Sequence, residues 1–344
     1  MKDRMIVKEE IRIIQMIVHI LDATVGLPVL SDTLLEYGSD FGDFVREHIG
    51  RISCGDEAKE CEFYQKESEI YQLLVPGIGE NFISVSKEIA QRLYELMNSN
   101  IDIPSADLLV VHFTCGQTEY LALLKMNFKA GYTHRTLSRE EGNVNDIISY
   151  KAVLPAQSQR LTEAAIIDLH TLKLWVVEKK YEINGEKTNY FSYLFLKCSS
   201  QLSHKSKLNI VTKAIDRVQR EGLDEWKTYE AQMQAKAIIQ EELAQNGGFV
   251  VEELADKVFE EQADLRNAFQ EQMEKYDMVR QEVIPQSEAT TRKYQKQHLL
   301  TNTGIEIKIP MEQYRDVGSI EFITNEDGTI SLLIKNIEHL EAKY

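Results

Sequence analysis

The sequence predicts an α+β protein: a mostly antiparallel sheet with flanking helices, an acidic helical subdomain and a C-terminal β-hairpin. Three observations carry this expectation. Apolar, β-branched runs recur between residues 11 and 200 with turn signals between them. From about residue 203 the apolar spacing switches to a helical period. Near the end the strand pattern returns, with Asp327-Gly328 at its turn. At 344 residues the chain has room for more than one domain. The expected division is an α+β sheet domain over 1–200 and an acidic helical subdomain over 201–285. A basic loop with C-terminal strands packing back on the sheet completes it over 286–344.

Along the chain, "IRIIQMIVHILD" (11–22) is β-branched and suits a buried strand better than a helix. "FGDFVREHIGRI" (41–52) sets Phe41, Phe44, Val45, His48 and Ile52 on one helical face. "SVSKEIAQRLYELMN" (84–98) is a second amphipathic helix, with Ser86 expected as its N-cap. "ADLLVVHFTC" and "EYLALLKMNF" are two apolar runs parted by Gly116-Gln117-Thr118, a short hairpin connection. The segment 131–145 is polar and separates these runs from the next strands. "IISYKAVLP", "AAIIDL", "LWVVEKKYEI" and "NYFSYLFL" read as successive strands, and Asn184-Gly185 signals a hairpin between the last two.

Beyond residue 203, Leu208, Val211, Ile215 and Val218 recur at helical spacing, and the pattern continues through "EWKTYEAQMQAKAIIQEELA" until Asn246-Gly247-Gly248 stops it. "VVEELADKVF" and "LRNAFQEQMEKYDMV" are further amphipathic stretches. Residues 221–284 hold sixteen acids against six bases. "GIEIKIP" (304–310) alternates, and "SIEFITNEDGTISLLIKNI" (319–337) is a hairpin that needs other structure to pack on.

Charge narrows the functional classes. With 55 acidic residues against 39 Lys and Arg, the formal net charge is -16. The mean field therefore repels phosphate, and any nucleic-acid contact has to be local. The N-terminal apolar run is interrupted by Arg12 and Gln15, too polar for a membrane span and without a signal-cleavage region. A soluble, cytoplasmic protein with no membrane partner is expected. The four cysteines lack a C-x-x-C, and none of the eight histidines pairs with another at metal-ligand spacing. His112, inside an apolar strand, is expected to be a satisfied sheet residue. No cofactor or metal is expected, since phosphate-loop, dinucleotide and nucleophile-elbow motifs are lacking.

One arrangement suggests metal chemistry. Asp168 ends a strand and Glu178-Lys179-Lys180 lies in the next, resembling the D…E-x-K pattern by which nucleases hold a divalent ion, with Lys180 near the attacking water. Ten residues separate the carboxylates across a hairpin, and an acid and a lysine two apart also suit a wetted strand face. A metal-dependent nuclease using Asp168, Glu178 and Lys180 is therefore an alternative to the main reading, which has no catalytic residue.

Two basic islands stand against the acidic background. From Lys197 to Arg220 there are six bases (Lys197, Lys205, Lys207, Lys213, Arg217, Arg220) and one acid, Asp216. Lys207, Lys213, Arg217 and Arg220 are expected off the apolar stripe. The last three share a helix side, and Lys205 and Lys207 lie near a helix start that favours anions. "TTRKYQKQH" (290–298) adds Arg292, Lys293 and Lys296 around Tyr294, with no acid, in what reads as a loop. These nine bases are the candidate nucleic-acid contacts, by a salt-sensitive and sequence-independent route. The alternative is a solvated helix face that offsets the acids after it.

Three segments resemble a family. "YFSYLFLKCSSQLSHKSK" resembles the stretch of bacterial nucleoid-associated proteins of the NdpA type in which an aromatic segment runs through a Cys-containing turn into a helix. "GIEIKIPMEQYRDVGSIEFITNEDGTISLLIKNI" is similar to that family's C-terminal block, turning at D-G-T and closing on I-K-N-I. The opening "IVHILD…PVLSDTLLE" fits its N-terminal strand and the segment that follows. The resemblance implies a non-enzymatic, nucleoid-associated protein of the bacterial chromosome with no catalytic centre to carry over. DNA would be met directly and weakly through the basic faces, or indirectly through a protein partner. An acidic adaptor or DNA mimic that docks 221–284 on a DNA-handling enzyme is a further alternative. A homodimer is the expected form for a chain that bridges DNA.

Overall fold

The computed structural model describes residues 6–79, 81–140, 142–315, 318–339 and 341. It is α+β, in two compact units, one ending at Ser203 and the other beginning at His204.

In the first unit, β1 (Ile11–Leu21) leads to α1 (Ser39–Ser53), β2 (Lys59–Phe63), α2 (Glu69–Leu74) and α3 (Phe82–Ser99). β3 (Ala106–Cys115) and β4 (Thr118–Asn127) form the expected hairpin. β5 (Lys129–Arg139) and β6 (Gly142–Val153) follow, then β7 (Glu163–Asp168), β8 (Lys173–Val177), β9 (Tyr181–Ile183), β10 (Glu186–Thr188) and β11 (Cys198–Ser200). Seven strands make an antiparallel sheet in the order β1-β3-β4-β7-β8-β2-β11. Both faces are covered. Ile89 and Leu93 of α3 pack with Leu108, Val110, Leu121 and Leu123 on one side. Val45 and Ile49 of α1 meet Leu109, Val111, Ala122 and Leu124 on the other. Strands buried on both faces read as continuous apolar runs, which is why β3 and β4 show no alternation.

Three local expectations differ from the structure. Ser86 is not a cap: α3 starts at Phe82, and the buried Ser86 hydroxyl donates to the Ile83 carbonyl (2.7 Å) beside His19 Nε2 (3.1 Å). "NYFSYLFL" is not a strand. Phe191–Leu196 is a π-helical turn that buries Phe191, Phe195 and Leu196, a spacing that a wide helix places on one side. Its end needs a left-handed residue, and Lys197 supplies it at φ 48°. Most of the polar stretch 131–145 is strand: β5 and β6 form a ribbon of their own, paired from Lys129↔Val153 to Arg139↔Gly142. The Asn184-Gly185 turn joins β9 to β10 with both residues at positive φ, as a type I′ turn requires.

A buried ion pair lies between β4 and β7. Lys125 and Glu163 are fully buried with Nζ and Oε2 3.8 Å apart. Lys125 also donates to the Pro104 carbonyl (3.1 Å) and to Asn127, and the Thr162 hydroxyl donates to Glu163 (2.7 Å). Burial pulls the Lys125 amine down to about 8, with Glu163 opposing the fall.

The second unit opens with α4 (His204–Gly222) and α5 (Glu225–Gln245), then β12 (Phe249–Val250), α6 (Val251–Val258), α7 (Ala263–Glu274) and β13 (Glu282–Val283). Leu208, Val211, Ile215 and Val218 of α4 join Ile239, Leu254, Phe259 and Phe269 in one core. Asp224 caps α5 by accepting from the Lys227 N–H (2.9 Å). α8 (Glu288–Thr291), β14 (Lys296–Leu300), β15 (Glu306–Pro310), α9 (Met311–Arg315), β16 (Ile320–Thr324) and β17 (Ile330–Ile334) complete the unit. Each strand pair here is a two-stranded sheet, β14 with β15 and β16 with β17. Among the described residues no helix is long and apolar enough to cross a membrane.

Candidate nucleic-acid interface

The first basic island is divided between the two units. Lys197 belongs to the first unit, where its Nζ lies 3.8 Å from Glu69. Lys205 is half-buried in the first turn of α4. Lys207 was expected off the apolar stripe, yet it is buried, and its Nζ donates to Gln281 Oε1 at 3.0 Å. The α4 core stripe is wide enough to take in this position, and the long side chain reaches a polar partner past it.

What remains is an exposed face further along α4. Lys213, Arg217 and Arg220 all project outward and line a shallow depression together with Asp216 and Glu221. Arg217 is paired to Glu221 at 2.8 Å, with both side chains more than half exposed (65% and 61%). Pairs this wet contribute about 0–1 kcal/mol, so a phosphate can displace the carboxylate. Burial raises the Asp216 carboxyl and Arg220 opposes the rise.

The second island reaches the same helix through Tyr294. The segment expected as a loop is α8, a 3₁₀ turn over Arg292–Tyr294, and the start of β14. Tyr294 packs against the helical core with its phenol near the Thr212 hydroxyl. Burial pushes that phenol up to about 12, the nearby Thr212 hydroxyl works the other way, and the Asp216 charge adds to the rise. Thr212 and Asp216 flank Lys213 and precede Arg217, so Tyr294 anchors its exposed neighbours Arg292 and Lys293 to this part of α4. Arg292 also pairs with Glu288 at 2.8 Å in an exposed contact. Lys296 is exposed at the start of β14, where its carbonyl accepts from Lys236 Nζ (3.0 Å).

The D…E-x-K residues are not brought together. Ala164 pairs with Val177 and Ile167 with Leu174, so Asp168 sits at the turn and Glu178 lies beyond the opposite end of the hairpin. The Asp168 carboxylate accepts from the His170 and Thr171 N–H groups (2.8 and 2.9 Å), fixing the turn. Glu178 is wholly buried: it accepts from Lys59 Nζ (2.8 Å), from the Ser192 hydroxyl (2.8 Å) and from the Ser192 N–H (3.0 Å). It thereby caps the start of the π-helical turn. Lys180 is exposed outside β8. Among the described residues no group of three or more His, Cys, Asp or Glu is placed to hold a metal ion. His112 Nε2 meets Glu119 at 3.0 Å.

The packing of Tyr294 against the helical core and the strand pairing within 131–145 are not among the sequence expectations. An aromatic flanked by bases on both sides was the available signal for the first. The alternation of "YTHRTLS" against "VNDIISY" was the signal for the second.

Compared with known proteins, residues 17–341 match the family model NA37, described as nucleoid-associated protein YejK. No curated protein matches the chain. The match spans the sheet, the helices of the second unit and the C-terminal hairpins together. The chain belongs to the family of nucleoid-associated protein YejK.

Proposed function

We propose that this protein is a non-enzymatic component of the bacterial nucleoid that touches duplex DNA through the α4 face of its second unit. Lys213, Arg217 and Arg220 meet successive phosphates, and Arg292 and Lys293 extend the contact from the turn that Tyr294 holds against α4. The observation that carries this reading is the packing of Tyr294 against the helical core beside Thr212, which brings two islands distant in sequence to one helix. Lys205, in the first turn of α4, and Lys296, at the start of β14, are left out of this contact, while Lys207 is committed to Gln281. Contacts of this kind give weak, sequence-independent binding, in keeping with a net charge of -16. The test is fluorescence anisotropy of a labelled duplex at low salt. The triple variant Lys213→Glu, Arg217→Glu, Arg220→Glu should lose at least tenfold in affinity while keeping its far-UV circular dichroism. Unchanged affinity in a folded triple variant rejects the α4 face.

A second reading has its own observation. Glu252, Glu253 and Asp256 of α6 are all exposed on one short helix, a surface suited to the basic face of a DNA-handling enzyme. In that case the protein reaches DNA through a partner. Replacing these three acids by Gln would then release DNA-handling proteins from a pull-down without altering the direct duplex affinity.

A further inference from the structure

The β14–β15 ribbon has two unlike faces. Along Lys296–Leu300 and Glu306–Pro310 the exposure alternates residue by residue, so the ribbon buries one side only. Gln297, Leu299, Ile307 and Ile309 form the inner side, and Ile309 is buried, as is Met311 at the start of α9. Residues directly opposite on an antiparallel pair share a face. The outer face therefore carries the rungs Lys296/Pro310, His298/Lys308 and Leu300/Glu306, every one of them exposed.

The ribbon's own stability does not account for these outer residues. Opposite charges across a rung favour a ribbon, and like charges oppose it. Lys308 has an imidazole directly across from it and Lys296 on the diagonal, so neither is a carboxylate. Glu306, two residues from Lys308 on the same strand, is the one acid on the face. Among the described residues neither Lys296 nor Lys308 has a carboxylate partner. The backbone that carries them is fixed at its base. Lys236 of α5 donates to the Lys296 carbonyl (3.0 Å), and the Met311 N–H donates to the Gln295 carbonyl (2.8 Å). The ribbon also follows directly on Arg292 and Lys293. Residues 292–308 hold four Lys and Arg against one acid, a local reversal in a chain of net charge -16.

We propose that the outer face of the β14–β15 ribbon is a second contact with duplex DNA, additional to the α4 face. Lys296 and Lys308 each take a phosphate, and His298 between them donates an imidazole N–H to the same backbone. Contacts of this kind position a duplex without reading its sequence. A two-stranded ribbon is also a shape that the major groove admits. The inference rests on the reading of the chain as a duplex-binding protein, and it brings in Lys308, which lies outside both basic islands and reaches His298 only through strand pairing.

The experiment is lysine footprinting of the full chain with an acetylating succinimidyl ester, with and without a short duplex at low salt, read by mass spectrometry. Lys296 and Lys308 should be acetylated several-fold more slowly when the duplex is present. Beside it, the double variant Lys296→Gln, Lys308→Gln should keep its far-UV circular dichroism and lose about threefold or more in duplex affinity. The α4 triple variant reports on α4 alone, so the two contacts fail separately. Protection at Lys308, with unchanged affinity in the triple variant, keeps the ribbon contact and rejects the α4 face. Lys308 acetylated at its free rate overturns the ribbon contact, whatever the triple variant does. Equal protection at every exposed lysine, or unchanged affinity in the folded double variant, overturns it as well.

Discussion

Arg217 and Glu221 form an exposed ion pair, 2.8 Å apart and one turn from each other on α4. The carboxylate holds the guanidinium on the face that Lys213 and Arg220 also share, so it both presents Arg217 and competes with phosphate for it. Glu221→Gln should therefore raise duplex affinity at low salt by several-fold. Stability should change by no more than about 0.5 kcal/mol, as for other exposed pairs. Anisotropy titration and urea unfolding measure the two effects. A fall in affinity would mean that Glu221 positions Arg217 more than it masks it.

Glu178 behaves as structure in this fold. Removing it leaves Lys59 without its carboxylate and the start of the π-helical turn without its cap. Glu178→Ala should cost about 3–5 kcal/mol, the loss typical of breaking a buried pair. For a unit of this size that is a fall in melting temperature of about 10 °C. Scanning calorimetry checks it. A melting point within two degrees of wild type, together with lost magnesium-dependent plasmid cleavage, would point back to a nuclease.

Acid should destabilise the first unit through two imidazoles. His19, between the Ser31 N–H and the Ser86 hydroxyl, is pushed down to about 4 by burial, with Lys87 adding to the fall. His48, edge-on to Phe44, is pushed down to about 4 by burial, with Arg51 adding and Glu47 opposing. Both are neutral when folded and protonate near pH 6.5 when unfolded. Their contribution is full above about pH 6.5 and is lost as pH falls toward about 4, up to about 3 kcal/mol for each imidazole. His48→Phe removes one titrating ring whose Nε2 has no hydrogen-bond partner. It should leave stability at pH 7 nearly unchanged and flatten the loss between pH 6.5 and 4.5. An unaltered pH slope would show that His48 takes no part in acid unfolding.

How far the sequence reached depends on what signalled each element. β3, β4 and β7 were legible because double-sided burial writes itself as unbroken apolar runs, and β1 because its β-branched residues suit a half-buried edge strand. α1 and α4 were legible because each buries one stripe. The π-helical turn was not, since aromatic spacing in "NYFSYLFL" serves a strand and a wide helix equally, and the deciding contact comes from Glu178, distant in sequence. Lys125 and Glu163 sit inside apolar strands, where only tertiary pairing accounts for them. In the candidate interface, Lys213, Arg217 and Arg220 followed from helical periodicity. The burial of Lys207 and the return of Tyr294 onto α4 depended on packing that periodicity does not encode.

The dependence of duplex affinity on salt bears most directly on the central claim. Each phosphate neutralised contributes about -0.9 to the slope of log affinity against log salt. Lys213, Arg217, Arg220, Arg292 and Lys293 acting together predict a slope of about -3 to -5. Replacing Lys213 and Arg220 by Ala should then bring the slope about two units closer to zero. A slope near zero for the wild type, or one that the double replacement leaves unchanged, would contradict direct contact through α4.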